Sequence, residues 1–263
     1  MSMANAISLS DVTKRFTRKG LPAVHAVDRV SLEVMDHEFV CVVGPSGCGK
    51  STLLRILAGL TPVTEGRAAI SGETVVSPRQ DVGIVFQKPV LLPWFTVFDN
   101  IMLPIKIYGL SEEKASAAAR QLIELVTLTG FEKSYPHELS GGMQQRVALA
   151  RALVHDPKML LMDEPFGALD AMTRQVMNVE LMRIWETRKK TVLLITHDIA
   201  EAVFLADRVF VMSARPGRIL ETLQIELPRP RRLQAMTDPR FADYVQHIQK
   251  LLGLDESAAM LGH

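Results

Sequence analysis

The sequence predicts an α/β fold: a sheet covered on both faces, opening in a strand-rich third and interrupted by an all-helical insertion over roughly 88–155. Three observations predict it. Short continuous apolar runs recur at Glu38–Val43, Lys158–Met162, Val192–Ile195 and Arg208–Met212, as buried parallel strands do. Helical spacing separates most of them. Between Val97 and about Val154 the strand signal gives way to helical patterns alone.

In the opening third, Ile7–Val12 and Val30–Val34 alternate like half-buried strands. The run Glu38–Val43 leads straight into Gly44-Pro45-Ser46-Gly47-Cys48-Gly49-Lys50-Ser51-Thr52, and Thr52–Ala58 carries helical spacing that stops at Gly59. This is the P-loop pattern in a strand–loop–helix context. Its glycines allow a tight turn whose N–H groups face phosphate oxygens at the positive end of a new helix. Lys50 is then expected at the β- and γ-phosphates and Ser51 on Mg²⁺. A Gly-rich turn that merely joins strand to helix is the plainer alternative, and the context argues against it. Arg67–Gly72 and Val82–Phe86 read as two further strands.

From Gln87 to Thr96 the chain is a Pro-punctuated loop carrying Trp94 and Phe95, either exposed or folded back into the insertion. A capped helix is expected from Ser111, with a stripe over Ala115–Leu128, and another from Ser140 through Leu153. Lys158–Met162 ends in Asp163-Glu164, the form of a Walker B strand. Asp163 is expected in the Mg²⁺ shell and Glu164 beside the attacking water, where a general base must sit. Pro228–Arg232 reads as a linker, Pro239–Leu252 as a modest amphipathic helix, and the residues beyond as a frayed end.

Bulk composition narrows the class. Hydrophobic residues at 48% and charged residues at 22% are ordinary for a globular protein. A net charge of +1 gives no reason to expect nucleic acid as a partner. The 2 cysteines, Cys41 and Cys48, suggest reduced thiols rather than a disulfide framework. No apolar run approaches the roughly 20 residues that cross a bilayer, and the N-terminus lacks a signal pattern. A cytoplasmic location is expected, with any membrane attachment supplied by a partner.

Leu139-Ser140-Gly141-Gly142-Met143-Gln144-Gln145-Arg146 reads physically as a Ser-capped helix start. It also resembles the LSGGQ signature of ABC-type ATPases, with Met143 at the usual Gln. The resemblance runs over almost the whole chain. It implies a P-loop NTPase core with a mixed sheet over 1–87 and 156–225, a helical subdomain over 88–155, and a linker and helix over 226–263. It implies ATP and Mg²⁺ as cofactors. Phe16 would stack on adenine, Gln87 would touch Mg²⁺ or water and sense a membrane partner, and Ala168-Leu169-Asp170 would form the D-loop. His197 would contact the γ-phosphate. Two copies would pack head to tail as a homodimer, each ATP lying between one P-loop and the other chain's Ser140, Gly141 and Gly142.

Narrower phrases at Leu92–Asn100, Met162–Arg174 and Met212-Ser-Ala-Arg-Pro-Gly-Arg218 resemble the ATPase subunits of nitrate, sulfonate and taurine importers. That implies a transmembrane permease subunit, a periplasmic solute-binding protein reached through the complex, and a place on the cytoplasmic face of the inner membrane. ATPases of thiamine-precursor and other small-solute importers share these phrases. A soluble ABC ATPase acting on ribosomes or DNA would carry paired nucleotide domains or coiled-coil arms. A P-loop kinase would have no use for residues 139–146.

Overall fold

The computed structural model describes residues 5–18, 20–167 and 169–254, without the side chains of Arg18 and Leu21. Ala168 and the expected frayed end from residue 255 lie outside the described residues. In chain order the elements begin with β1 (Asn5–Arg18), β2 (Leu21–Met35), β3 (Phe39–Val43), α1 (Lys50–Leu57), β4 (Glu65–Ile70) and β5 (Glu73–Thr74). There follow β6 (Val82–Val85), α2 (Val97–Tyr108), α3 (Glu112–Leu125), α4 (Gly141–Leu153), β7 (Met159–Asp163) and α5 (Ala171–Arg188). The chain closes with β8 (Thr191–Thr196), α6 (Ile199–Leu205), β9 (Arg208–Met212), β10 (Ile219–Gln224) and α7 (Pro239–Leu251). The fold class is α/β, as the sequence predicts.

These elements form two compact units: the described residues up to Pro78 with those from Thr191 onward, and Arg79–Lys190. In the first unit, β1 and β2 make a long antiparallel hairpin with several register shifts, and β4 and β5 extend it. The first unit also holds a mixed sheet, β3 lying parallel between β8 and β9, and β10 running antiparallel to β9. Every residue of β3 and β8 is buried, which is why their sequences are apolar throughout rather than alternating. Phe39, Leu54, Leu57 and Phe204 are among the fully enclosed side chains, each stabilising by about 1.5–3 kcal/mol through area removed from water.

The segment expected to be a linker is tied down. Arg231 is 3% exposed, and its guanidinium donates to the carbonyls of Val203, Phe204 and Ala206 at the end of α6, and to Ile225 and Leu227. A helix end leaves such carbonyls without internal partners, and a cation there is favoured by the helix dipole. Burial, then the neighbouring Arg229, pushes the Arg231 pKa down to about 10, so the group is still cationic at neutral pH. Arg229 pairs with Asp207 at 2.7 Å and donates to Leu205 O, and the other Asp207 oxygen accepts from Phe39 N at 2.9 Å.

In the second unit β6 and β7 pair in parallel, and α2 to α5 complete it. Thr96 caps α2 by accepting from Asp99 N. Ser111 occupies the cap position of α3 without a side-chain capping bond, and Glu112 and Glu113 favour that end instead. Pro104 lies inside α2. The wholly buried Asn100 stitches the preceding loop, its amide donating to Leu92 O, Phe95 O and Thr96 O and its oxygen accepting from Leu92 N.

Candidate active site

In the first unit the register of the parallel strands decides which loops meet. Val43 pairs with Thr196 on one side and Val211 on the other. Gly44, His197 and Met212 therefore leave the sheet from adjoining strand ends, the edge where ligands bind in such sheets. The loop from Gly44 turns through positive φ at Gly47 (74°) and Gly49 (111°) and enters α1, whose first turn holds no acidic residue. Ser46, Gly47 and Ser51 are exposed, whereas Gly44, Cys48 and Lys50 are buried.

Lys50 is only 4% exposed. Its Nζ donates to Gly44 O at 2.7 Å and Pro45 O at 3.0 Å, and lies 3.9 Å from Cys48 Sγ. Carbonyl dipoles orient this ammonium but do not neutralise it, and a buried charge without a counter-ion is costly. The loop is thus built to receive an anion. His197 is exposed at the exit of β8. It is held between Thr196, whose Oγ1 accepts from Asp198 N at 3.0 Å, and Asp198, which caps α6 by accepting from Glu201 N. Phe16 lies near the end of β1 opposite Val24, 42% exposed, with Lys14 Nζ 5.1 Å from its ring centre. That leaves aromatic surface free for stacking.

In the second unit β7 delivers Asp163 and Glu164 to its carboxyl end. Glu164 has φ 44°, a region residues other than glycine rarely occupy and one that clusters at functional sites. Its Oε2 lies 3.4 Å from Gln87 Nε2, and its carbonyl accepts from Gly167 N at 3.1 Å. Gln87 and Glu164 are thus brought together, as the sequence reading needs. Gln145, which that reading left without a role, holds them: its buried amide donates to Gln87 O at 3.1 Å and to Pro165 O. Between Gln144 and Arg146 its sequence setting is polar, and only its burial with Val147 and Ala148 in α4 marks it out.

Ser140 caps α4, accepting from Met143 N at 3.3 Å, and is exposed with Gly141. Asp170 caps α5: it accepts from Thr173 N at 3.0 Å, and the Thr173 hydroxyl beside it holds its carboxyl below the usual carboxylate range. The structure thus gives Asp170 a capping bond of its own. For Mg²⁺, the expected donors Ser51, Gln87 and Asp163 offer hydroxyl, carboxamide and carboxylate oxygens, a hard set that suits the ion. Among the described residues no group of three or more His, Cys, Asp or Glu could hold a metal unaided. A protein that meets Mg²⁺ together with substrate phosphates needs no such cage. Also among the described residues, no helix is long and apolar enough to cross a membrane.

Comparison with known proteins agrees with this chemistry. The family model described as ABC transporter matches residues 27–167. The chain is 45% identical over 225 residues to the aliphatic sulfonates import ATP-binding protein SsuB of Bacillus cereus, covering 86% of this chain and 88% of that one. It is 46% identical over 236 residues to the taurine import ATP-binding protein TauB of Rhizobium johnstonii, covering 87% and 89%. It is 43% identical over 252 residues to the nitrate import ATP-binding protein NrtD of Synechocystis sp., covering 94% of each. A bacterial ABC transporter cassette solved as a dimer superposes with TM-score 0.73 at 34% identity, over 83% of this chain and 98% of that one. With the P-loop, the Asp163-Glu164 exit and the Ser140 helix start all inside the matched region or within these alignments, the chain belongs to the ABC transporter family, in the branch of ATP-binding proteins related to aliphatic sulfonate, taurine and nitrate import.

Proposed function

We propose that this chain is the ATP-hydrolysing subunit of an ABC importer, coupling ATP binding and hydrolysis to uptake of a small anionic nitrogen or sulfur compound. The observation that carries its nucleotide chemistry is Lys50, a buried ammonium that P-loop carbonyls orient but do not neutralise. In this reading Gly44 to Thr52 cradle the phosphates, Phe16 stacks on the base, and His197 contacts the γ-phosphate. Glu164 takes the proton of the attacking water, which Gln87 helps to orient. Ser51, Gln87 and Asp163 hold Mg²⁺, which when bound would neutralise charge developing on the phosphates.

Ser140, Gly141 and Gly142 at the start of α4, with Asp170, whose neighbours Leu169 and Thr173 lie beside Gly141 and Gly142, serve the ATP of a second copy. Residues 1–87 and 156–225 act as the nucleotide-binding core, and residues 88–155 pass closure and reopening of the dimer to a transmembrane permease. Differential affinity for ATP in the closed state drives the cycle. The subunit then sits at the cytoplasmic face of the cell membrane, and a periplasmic binding protein presents the solute on the other side. The test is reconstitution with the permease in proteoliposomes, measuring ATP-driven uptake of taurine, an alkanesulfonate and nitrate. Uptake of one of them is expected; ATPase activity indifferent to the permease, with no uptake of any, would overturn the importer reading.

A further inference from the structure

The segment Met212-Ser-Ala-Arg-Pro-Gly-Arg218 takes no part in the roles above, yet it lies directly against the P-loop. It leaves β9 beside the end of β3. Arg215 donates from both Nε (3.0 Å) and Nη2 (2.8 Å) to one acceptor, the carbonyl of Gly47. At Gly217 an added Cβ would come within 2.1 Å of the Cys48 carbonyl, so only glycine allows this approach. The segment is rigidly mounted. Gly217 N donates to Ala26 O and Gly217 O accepts from Asp28 N, both at 3.0 Å. Ser213 N donates to Arg218 O at 2.9 Å, Arg218 N donates back to Ser213 Oγ at 3.0 Å, and the Arg218 guanidinium grips Asp28.

We infer that Arg215 is a positioning residue for nucleotide binding: it locks the Gly47–Cys48 peptide so that its N–H faces the phosphates. The carbonyl and N–H of a planar trans peptide point in opposite directions. Pinning Gly47 O on Arg215 therefore turns Cys48 N the opposite way, where it donates to Pro45 O at 3.3 Å, a turn bond that a phosphate oxygen would replace. Gly47, at φ 74°, has no Cβ to resist rotation. Without the clamp this peptide can flip and present a carbonyl oxygen to an anion that needs a donor. The apparent dissociation constant then rises in proportion to the fraction flipped. The charge-assisted pair of bonds from Arg215 removes that loss. The peptide serves phosphates common to both nucleotides, so ATP and ADP suffer alike.

This rests on the P-loop being the nucleotide site, and the experiment separates the two. ATP and ADP affinities are measured by calorimetry on the full chain for wild type, Arg215→Leu and Arg215→Lys. Arg215→Leu is expected to weaken both nucleotides by a similar factor, on the order of tenfold if about a tenth of the loop stays competent. It should raise KM for ATP while keeping kcat at saturation, with no change in melting temperature, since Arg215 is exposed. Arg215→Lys, still able to donate to Gly47 O, should recover most of the affinity. Wild-type affinity in Arg215→Leu, or a fall in kcat at constant KM, would overturn the inference and leave the P-loop assignment standing. A wild-type chain that binds neither nucleotide would overturn that assignment, and this inference with it.

Discussion

The side-chain amide of Gln145 donates to the main-chain carbonyl of Gln87 at 3.1 Å across 58 residues of sequence. The same nitrogen reaches Pro165 O, the residue after Glu164. One buried amide in the helix that begins at Ser140 thus spaces two loops that the chemistry needs in register. Gln145→Leu keeps the volume and removes the donor, leaving those carbonyls without it. Thermal or urea unfolding should show a loss of about 1–3 kcal/mol, the penalty of a stranded buried polar group. ATP turnover should fall while ATP affinity holds. Unchanged turnover in a folded variant would show that Gln145 is architectural only.

Glu164→Gln tests the general base. The amide preserves shape and the contact with Gln87 but cannot accept the water's proton. Turnover should drop by about 10²–10⁴ with ATP binding intact. Near wild-type hydrolysis in a phosphate-release assay would remove Glu164 from that role.

Shared sites predict complementation. A chain with Lys50→Ala and one with Ser140→Arg should each be inactive alone. If each ATP is served by the P-loop of one copy and the Ser140 helix of the other, a mixed dimer holds one intact site. Rapid-quench measurement should then recover a single-turnover burst. Verified heterodimers without a burst would exclude a site built across two chains.

Trp94 is the better probe of the permease contact than Phe95. Trp94 is 67% exposed, while Phe95 is half-buried with its ring 6.5 Å from that of Trp94. Trp94→Ala should lower permease-stimulated ATPase more than basal ATPase and leave the melting temperature unchanged. An equal fall in both activities would place Trp94 outside the docking surface.

Asp28 supplies an acid-side signature. The Arg218 hydrogen bond, with charge from Arg218 and Arg29 (3.8 Å), holds its carboxyl below the ordinary 3.8. A depressed folded pKa means that both folded and unfolded carboxyls are ionised at neutral pH, where the pairing contributes fully. That contribution disappears as pH falls below 3.8 through the folded value. The gap in melting temperature between wild type and Asp28→Asn should be constant from neutral pH to about pH 5 and close below that range. A gap independent of pH would show that the ion pair does not stabilise the loop.

How far the sequence could be read depended on what each residue type reports. The runs at Phe39–Val43 and Thr191–Thr196 were legible because strands buried on both faces must be apolar throughout. The P-loop was legible because a phosphate cradle demands glycine and lysine at fixed spacing. β10 was not legible because the polarity of Ile219-Leu-Glu-Thr-Leu-Gln224 does not follow its alternating burial: Leu220 is exposed while Glu221 is half-buried. Most of the hairpin of β1 and β2 lay beyond the short alternating runs because its register shifts interrupt the period. Arg231 could not be read from sequence: arginine in a Pro-rich run suggests a solvated linker, and only tertiary structure reveals the ring of carbonyls that receives it.

That ring has a practical reach. A chain cut before Arg229 would not lose an appendage but would leave the carbonyls of Val203, Phe204 and Ala206 facing an empty socket, and Asp207 without its cation. Because α6 starts two residues after His197, the damage would sit one short helix from the strand ends that carry Gly44 and His197. Purification tags and fluorescent fusions therefore belong after α7, and a protease that nicks the 228–232 segment should disarm the ATPase without touching any residue that meets ATP.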